Sequence, residues 1–297
     1  MSILRQSLQL ANRLLGCFNL RLDTLTLVRK EQQRLAEVAR HGGFDEAPYF
    51  IPPGFLNSSH RFVLDELPKH QARFTSFRRA DTNSVGYRFD NGFYSSPDAE
   101  VLYAMVRATS PRQILEIGCG NSTKLIRQAI RDGALPCRHL AIDPQPRLEI
   151  SKLVDEMVFQ PIEYANAVPY VQALEAGDIL FIDTSHEAVP ANDVAYIYGQ
   201  LLAKIRPGVV VHIHDIFIPY DYPRSWVIDM GLRWGEQYIV QAMLLDEAGW
   251  DVLWPGHYLQ RTLPAFDAHF PNRAGGMAQS LWLRRCSVGS AAGRSTA

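Results

Sequence analysis

From residue 113 onward, short runs of consecutive apolar residues alternate with longer stretches of helical spacing. The runs fall at 113–117, 139–142, 157–159, 179–182, 209–213, 250–253 and 281–283. Their apolar residues are continuous rather than alternating, which marks strands covered on both faces. Helical patterns lie between them at 97–110, 146–155, 166–175, 190–203 and 236–248. The alternation predicts an α/β chain built on a doubly wound, mostly parallel sheet of seven strands.

The pattern is different before that point. Over residues 1–40, Ile3, Leu4, Leu8, Leu10, Leu14, Leu15, Leu20, Leu22, Leu25 and Leu27 are interleaved with Arg5, Arg13, Arg21, Arg29 and Arg34, which predicts one or two amphipathic helices. Two readings fit such a face: packing on the rest of the chain or on a second copy in a homo-oligomer, or peripheral contact of residues 1–30 with a membrane surface. Residues 41–60 read as an irregular connection, and 61–92 are charged and aromatic without a lasting period. Asp90-Asn91-Gly92 signals a turn, after which Ser96 is placed to cap a helix with Pro97 in its first position. The expected organisation is therefore a helical and irregular extension (1–90), a ligand-binding domain (91–285) and a disordered tail (286–297) rich in Ser, Ala and Gly.

The densest chemistry sits where the first run ends, at Glu116-Ile117-Gly118-Cys119-Gly120 followed by Asn121-Ser122-Thr123. A strand that closes on two glycines and passes at once into a helix makes a turn where a ligand can approach the backbone. A dinucleotide fingerprint would place its third glycine at Thr123, and the strand-end carboxylate Glu116 would repel phosphate. Such a carboxylate suits a cationic ammonium group. The second run closes on Asp143, placed to accept hydrogen bonds from a ribose. An amino-acid charge together with a ribose points to S-adenosylmethionine (SAM).

These segments resemble the class I SAM-dependent methyltransferases, which have a Rossmann-like sheet. Glu116–Gly120 resembles the first motif of that family, Ala141-Ile142-Asp143 the ribose-binding acid, 178–183 the fourth motif and 206–211 the entry to the fifth strand. The resemblance covers residues 90–285 and implies SAM contacts from Glu116, Gly118, Cys119, Gly120, Ser122 and Asp143. It also implies contacts from Tyr94 and Ser96 in a segment that crosses the site; simple packing of Tyr94 is the alternative. Ser122 departs from the glycine that many members carry.

Two further strand ends carry polar groups, Asp183-Thr184-Ser185-His186 and His212-Ile213-His214-Asp215. Unpaired charge beside an apolar strand is costly, and a cation would relieve it. The arrangement is similar to metal-dependent O-methyltransferases of the catechol and macrolide-sugar type. That resemblance implies Asp183, His214 and Asp215 as ligands of a divalent metal (Mg, Mn or Fe), with an imidazole where relatives hold an oxygen. It also places His186 where those enzymes hold a general base, so His186 and Asp183 become the catalytic candidates. Pairing of His214 with Asp215 without a metal remains open, as does a structural role for His186. The loop 216–226 is rich in aromatics and prolines, and Tyr220, Tyr222, Arg224 and Trp226 are its candidate contacts to an acceptor.

Composition limits the possibilities. A formal net charge of −1 offers no general attraction for nucleic acid, which leaves a small-molecule or sugar acceptor. Hydrophobic residues at 47% support a large core, and no apolar run is long enough to span a bilayer. The four cysteines form no C-x-x-C pair and the start shows no signal-peptide pattern, so a cytoplasmic enzyme is expected. The rival activity is iron-dependent oxygenation, with His186, His214 and an Asp forming a two-histidine, one-carboxylate site as in cephalosporin-hydroxylase relatives. A non-catalytic subunit keeping the same fold is the third reading.

Overall fold

The computed structural model describes residues 3–20, 22, 25–44, 46–77, 86–146, 150–245 and 249–287. The chain divides into two compact units, residues 1–46 with 222–232, and residues 47–221 with 233–297. In the first unit, helix α1 (Ile3–Leu15) runs through a 3-10 turn (Gly16–Phe18) toward helix α2 (Leu25–Arg40). The side chains of Ile3, Leu4, Arg5, Arg21 and Leu27, and the predicted tail beyond residue 287, lie outside the described residues.

The second unit holds a seven-stranded sheet in the order β3-β2-β1-β4-β5-β7-β6. The strands are β1 (Gln113–Ile117), β2 (Arg138–Ile142), β3 (Glu156–Val158), β4 (Ile179–Ile182), β5 (Val210–Ile213), β6 (Trp250–Pro255) and β7 (Leu281–Arg285). Strands β1 to β5 pair in parallel, and β7 is antiparallel to both β5 and β6. Each predicted strand forms within a residue or two of its apolar run. The sheet is buried on both faces because its residues divide by parity. Ile114, Phe181, Val210 and Trp282 face a core shared with the helices Asp98–Thr109 and Asn121–Asp132. Leu115, Ile117, Ile182 and Ile213 face the opposite core, to which Val240 of the helix Glu236–Met243 contributes.

Several helical expectations change. The described part of 146–155 is a series of turns rather than a helix, and residues 147–149 lie outside the described residues, as do 246–248 of the expected helix 236–248. Residues 53–76 fold as short helices of one or two turns, too brief to show a period. They pack nonetheless, with Phe55, Val63, Leu67 and Phe74 almost fully buried. The helix expected to start at Pro97 begins at Asp98. Ser96 does not cap it through its backbone, since its hydroxyl donates to Glu100 Oε1 at 2.9 Å.

Candidate active site

Strand register brings the chemistry together. Ile117 lies level with Ile142 and Ile182, and Ile182 with Ile213. The next residue of each strand therefore forms a row along the carboxyl edge, in the order Asp143, Gly118, Asp183, His214. Hydrogen bonds hold the row together: Gly118 N to Ile142 O (3.0 Å), Asp183 N to Ile117 O (3.0 Å) and His214 N to Ile182 O (3.0 Å).

At the β1–β2 end, Gly118 has a φ of +82°, and a Cβ there would stand 1.8 Å from the Asp183 carbonyl oxygen. Only glycine permits this crossing. A Cβ on Gly120, by contrast, would meet nothing within 4 Å, so the turn opens onto a free crevice at the start of the helix Asn121–Asp132. Gly120 N donates to Thr123 Oγ1 at 3.1 Å, which caps that helix. Asp143 is partly exposed at the rim and accepts from Cys119 N (2.8 Å) and Gln145 N (2.7 Å). Each of its oxygens keeps a second acceptor direction, as a diol requires.

Glu116 lies beneath this cradle. It is fully buried, and its oxygens are engaged by Ser122 Oγ at 2.7 Å and His139 Nε2 at 2.9 Å. The expected SAM contacts thus separate. Gly118, Cys119, Gly120 and Asp143 line the turn, whereas Glu116 and Ser122 brace it from below. Tyr94 is buried, its ring stacked on His214 at 4.8 Å and its hydroxyl 3.4 Å from His212 Nε2. Its loop is tied to the cradle by Asn91, whose Oδ1 accepts from Tyr94 N (2.8 Å) and from Asn121 Nδ2 (3.1 Å).

At the β4–β5 end, side-chain ligand atoms of Asp183, His186 and Asp215 lie within 4.8 Å of one another. His186 Nε2 is 3.4 Å from Asp183 Oδ1 and 3.2 Å from Asp215 Oδ2. Its other nitrogen lies 2.7 Å from Glu236 Oε2, and Glu236 Oε1 accepts from Tyr198 OH at 2.8 Å. Trp234 covers the imidazole at 4.5 Å. Both His186 (φ +59°) and Asp215 (φ +56°) adopt left-handed backbone, which is uncommon for residues with side chains and frequent at functional sites.

The electrostatics of this cluster are unusual. Burial alone would lower the His186 pKa, yet its bonds to Asp183 and Glu236 and the charges of Glu236 and Asp215 hold it well above the usual value. Burial would raise Asp183, but the field of His214 and the bond to His186 bring it down to about 2. Burial wins at Asp215 and pushes its carboxyl upward, against the pull of His214 and His186. Three carboxylates, Asp215 and Glu236 buried and Asp183 partly exposed, thus converge on one imidazole, with more negative than positive charge.

His214, expected as a metal ligand, is not in this set. Its Nε2 is 3.9 Å from Asp215 Oδ1 and its ring is held against Tyr94. His186, expected as the base, occupies the position instead. Two histidines and one carboxylate are therefore not assembled among the described residues, and the oxygenase reading loses its geometric basis. His212 stacks on Phe181 at 3.9 Å, and burial, then His214, keep it neutral, consistent with a structural role. Of the acceptor candidates, Tyr220 lies against His257 (5.4 Å) beneath the Arg261 guanidinium (4.7 Å). Tyr222, Arg224 and Trp226 belong to the first unit. The first three residues of their loop, Ile216 to Ile218, are core. Sequence reasoning passed over Tyr198 and Trp234. Glu236 gave no distinct signal, because a first-turn glutamate is also the ordinary capping choice.

Residues 115–216, about a third of the chain, match a family described as a methyltransferase domain. No curated protein matches the sequence. Among solved structures, the chain is similar to an O-methyltransferase from Bacillus cereus in complex with SAH (14% identity, TM-score 0.40, 76% of this chain and 90% of that one covered). It is similar also to a SAH-bound methyltransferase from Podospora anserina (18%, 0.38, 75% and 88%). A third similarity is to cmcI with Mg-SAM (15%, 0.40, 92% and 100%). The matched segment contains the glycine cradle, the Asp143 strand end and both acidic strand ends in the order the parallel sheet requires, so the part of the chain that matches a methyltransferase domain is the part that carries the site.

Proposed function

We propose that the chain transfers the methyl group of SAM to an oxygen of a small-molecule or sugar hydroxyl, with a divalent cation held by Asp183, His186 and Asp215. The observation that carries this reading is the imidazole bound on both sides. Its Nδ1 is fixed on Glu236, so its Nε2 is directed at the two aspartates, the arrangement by which a carboxylate orients a metal-binding histidine. One imidazole and two carboxylates form a donor set suited to Mg, Mn or Fe. SAM supplies an electrophilic methyl, and a cation at this cluster would lower the pKa of an acceptor hydroxyl.

The residues of the chain do the positioning. The Gly118–Gly120 turn and Asp143 orient the cofactor, and the shared register sets it beside the aspartates. Tyr94 and Trp234 keep the polar cluster covered. With Nε2 given to the cation, His186 would serve as a ligand rather than as a free base. All four cysteines are free thiols, which supports a cytoplasmic enzyme.

The test is SAH release from a panel of catechols and hydroxylated sugars by metal-stripped protein, with Mg, Mn or Fe added back, alongside calorimetric titration with SAM. SAM binding is expected to survive chelation and turnover is expected to require the cation. Turnover that persists after exhaustive chelation would remove the cation from the reading, and well-folded protein that fails to bind SAM would overturn it entirely.

A further inference from the structure

The first unit presents an apolar edge that the methyl-transfer chemistry does not use. On α1, Leu10 and Leu14 lie one turn apart and are exposed, and Phe18, 75% exposed, Leu20, Leu22 and Leu25 are exposed as well. Scattered apolar residues on a surface need no explanation, but six large ones exposed between residues 10 and 25 do.

The backbone of that turn is closed on itself. Asn12 Nδ2 donates to Leu22 O at 2.8 Å, and Leu22 N donates back to Asn12 Oδ1 at 2.6 Å. Leu20 N donates to Leu15 O and Asn19 N to Gly16 O, both at 3.1 Å. A turn with exposed apolar side chains and internally paired amides is what a low-dielectric surrounding demands, because each unmet backbone group there is costly.

Charge selects the occupant. Residues 1–30 contain five basic residues (Arg5, Arg13, Arg21, Arg29 and Lys30) against the single acid Asp23, while the whole chain is at −1. A second copy laid on this segment would bring like charges together, whereas anionic headgroups complement them. We propose that the segment 7–30 rests on an anionic phospholipid surface, with Leu14, Phe18 and Leu20 at the acyl boundary and Arg13, Arg29 and Lys30 among the headgroups.

The experiment is flotation of the full-length protein with vesicles of phosphatidylcholine alone or mixed with phosphatidylserine, at low and high salt. Binding is expected to the mixed vesicles, weakened by salt. Replacing Phe18 and Leu20 together by Ser should lower partition at least about tenfold, from the apolar area withdrawn. Arg13→Glu should lower it about fivefold for each unit of charge lost, leaving SAM affinity unchanged in both variants. Failure to float, or equal binding to neutral and anionic vesicles, would overturn the proposal. So would an oligomer in vesicle-free sedimentation that the Phe18/Leu20 variant dissociates, which would assign the edge to a second copy.

Discussion

At the end of β1, Glu116 is fully enclosed, and a serine hydroxyl and an imidazole meet its two oxygens at 2.7 and 2.9 Å. One and two strands away, Asp183 and Asp215 share one imidazole at 3.4 and 3.2 Å, and that imidazole is already held by a third carboxylate. Both clusters are carboxyl–histidine arrangements on one sheet edge. In the first, each carboxylate oxygen is met, His139 Nδ1 alone is left without a partner, and the pair serves to hold the cradle in shape. The second has more negative charge than its own groups can offset, which is expected of a site that receives a cation rather than of a structural brace.

The largest test of this contrast is Gly118→Ala, because Gly118 touches both ends. With φ at +82° and the new Cβ 1.8 Å from a backbone oxygen that cannot step aside, a loss of more than ~3 kcal/mol is expected. Denaturant unfolding should show it, and SAM and cation affinity should fall together. Loss of SAM affinity alone would mean that the two ends are independent. Next is Glu236→Gln, which keeps an acceptor near His186 but removes the charge. Cation affinity should fall roughly 10–100-fold with SAM affinity intact, and Glu236→Asp should restore part of it. A variant that unfolds without changing cation affinity would return Glu236 to a structural role.

What the sequence could show follows from where each signal originates. The seven strands were legible because burial on both faces writes unbroken apolar runs, and the cradle because Gly118 and Gly120 answer backbone geometry. The short helices of 53–76 were not, since a helix of one or two turns carries no period. The cation set was half legible. Asp183 and Asp215 follow strand ends, but the exchange of His186 for His214 depends on a left-handed φ at His186 and on Glu236, fifty residues away in sequence. Nothing in the pattern of residues 183–186 records that turn.

Ser122→Ala probes the Glu116 cluster. It removes the hydroxyl that meets Glu116 Oε1 and leaves a buried carboxylate oxygen unmet, so stability should fall by about 2 kcal/mol. Cation affinity should not change, and SAM affinity should change by less than about threefold if Glu116 braces the cradle from below. A large fall in SAM affinity with unchanged stability would instead put Glu116 in contact with the cofactor.

Glu100 shows a third way of burying a carboxyl and predicts the smallest effect. It is enclosed, bonded at Oε1 by Ser96 and Asn272, with Oε2 unmet, and burial raises its pKa from 4.5 to about 7. The folded chain therefore holds a proton that the unfolded chain releases. The associated stability is fully present below about pH 4.5 and is lost as pH rises through about 7. Glu100→Gln removes that dependence, but its amide must find an acceptor where the carboxyl had only Oε2. The net gain should be about 1 kcal/mol at pH 8 and should turn into a loss at pH 4, where the cost of the amide remains and the benefit of removing the titration is gone, read from unfolding curves across that range. A flat difference with pH would show that Glu100 stays ionised in the fold, and would mean that an enclosed carboxylate can be tolerated here without a full set of partners. That outcome would weaken the inference of a cation at Asp183 and Asp215, because the same tolerance could then extend to them.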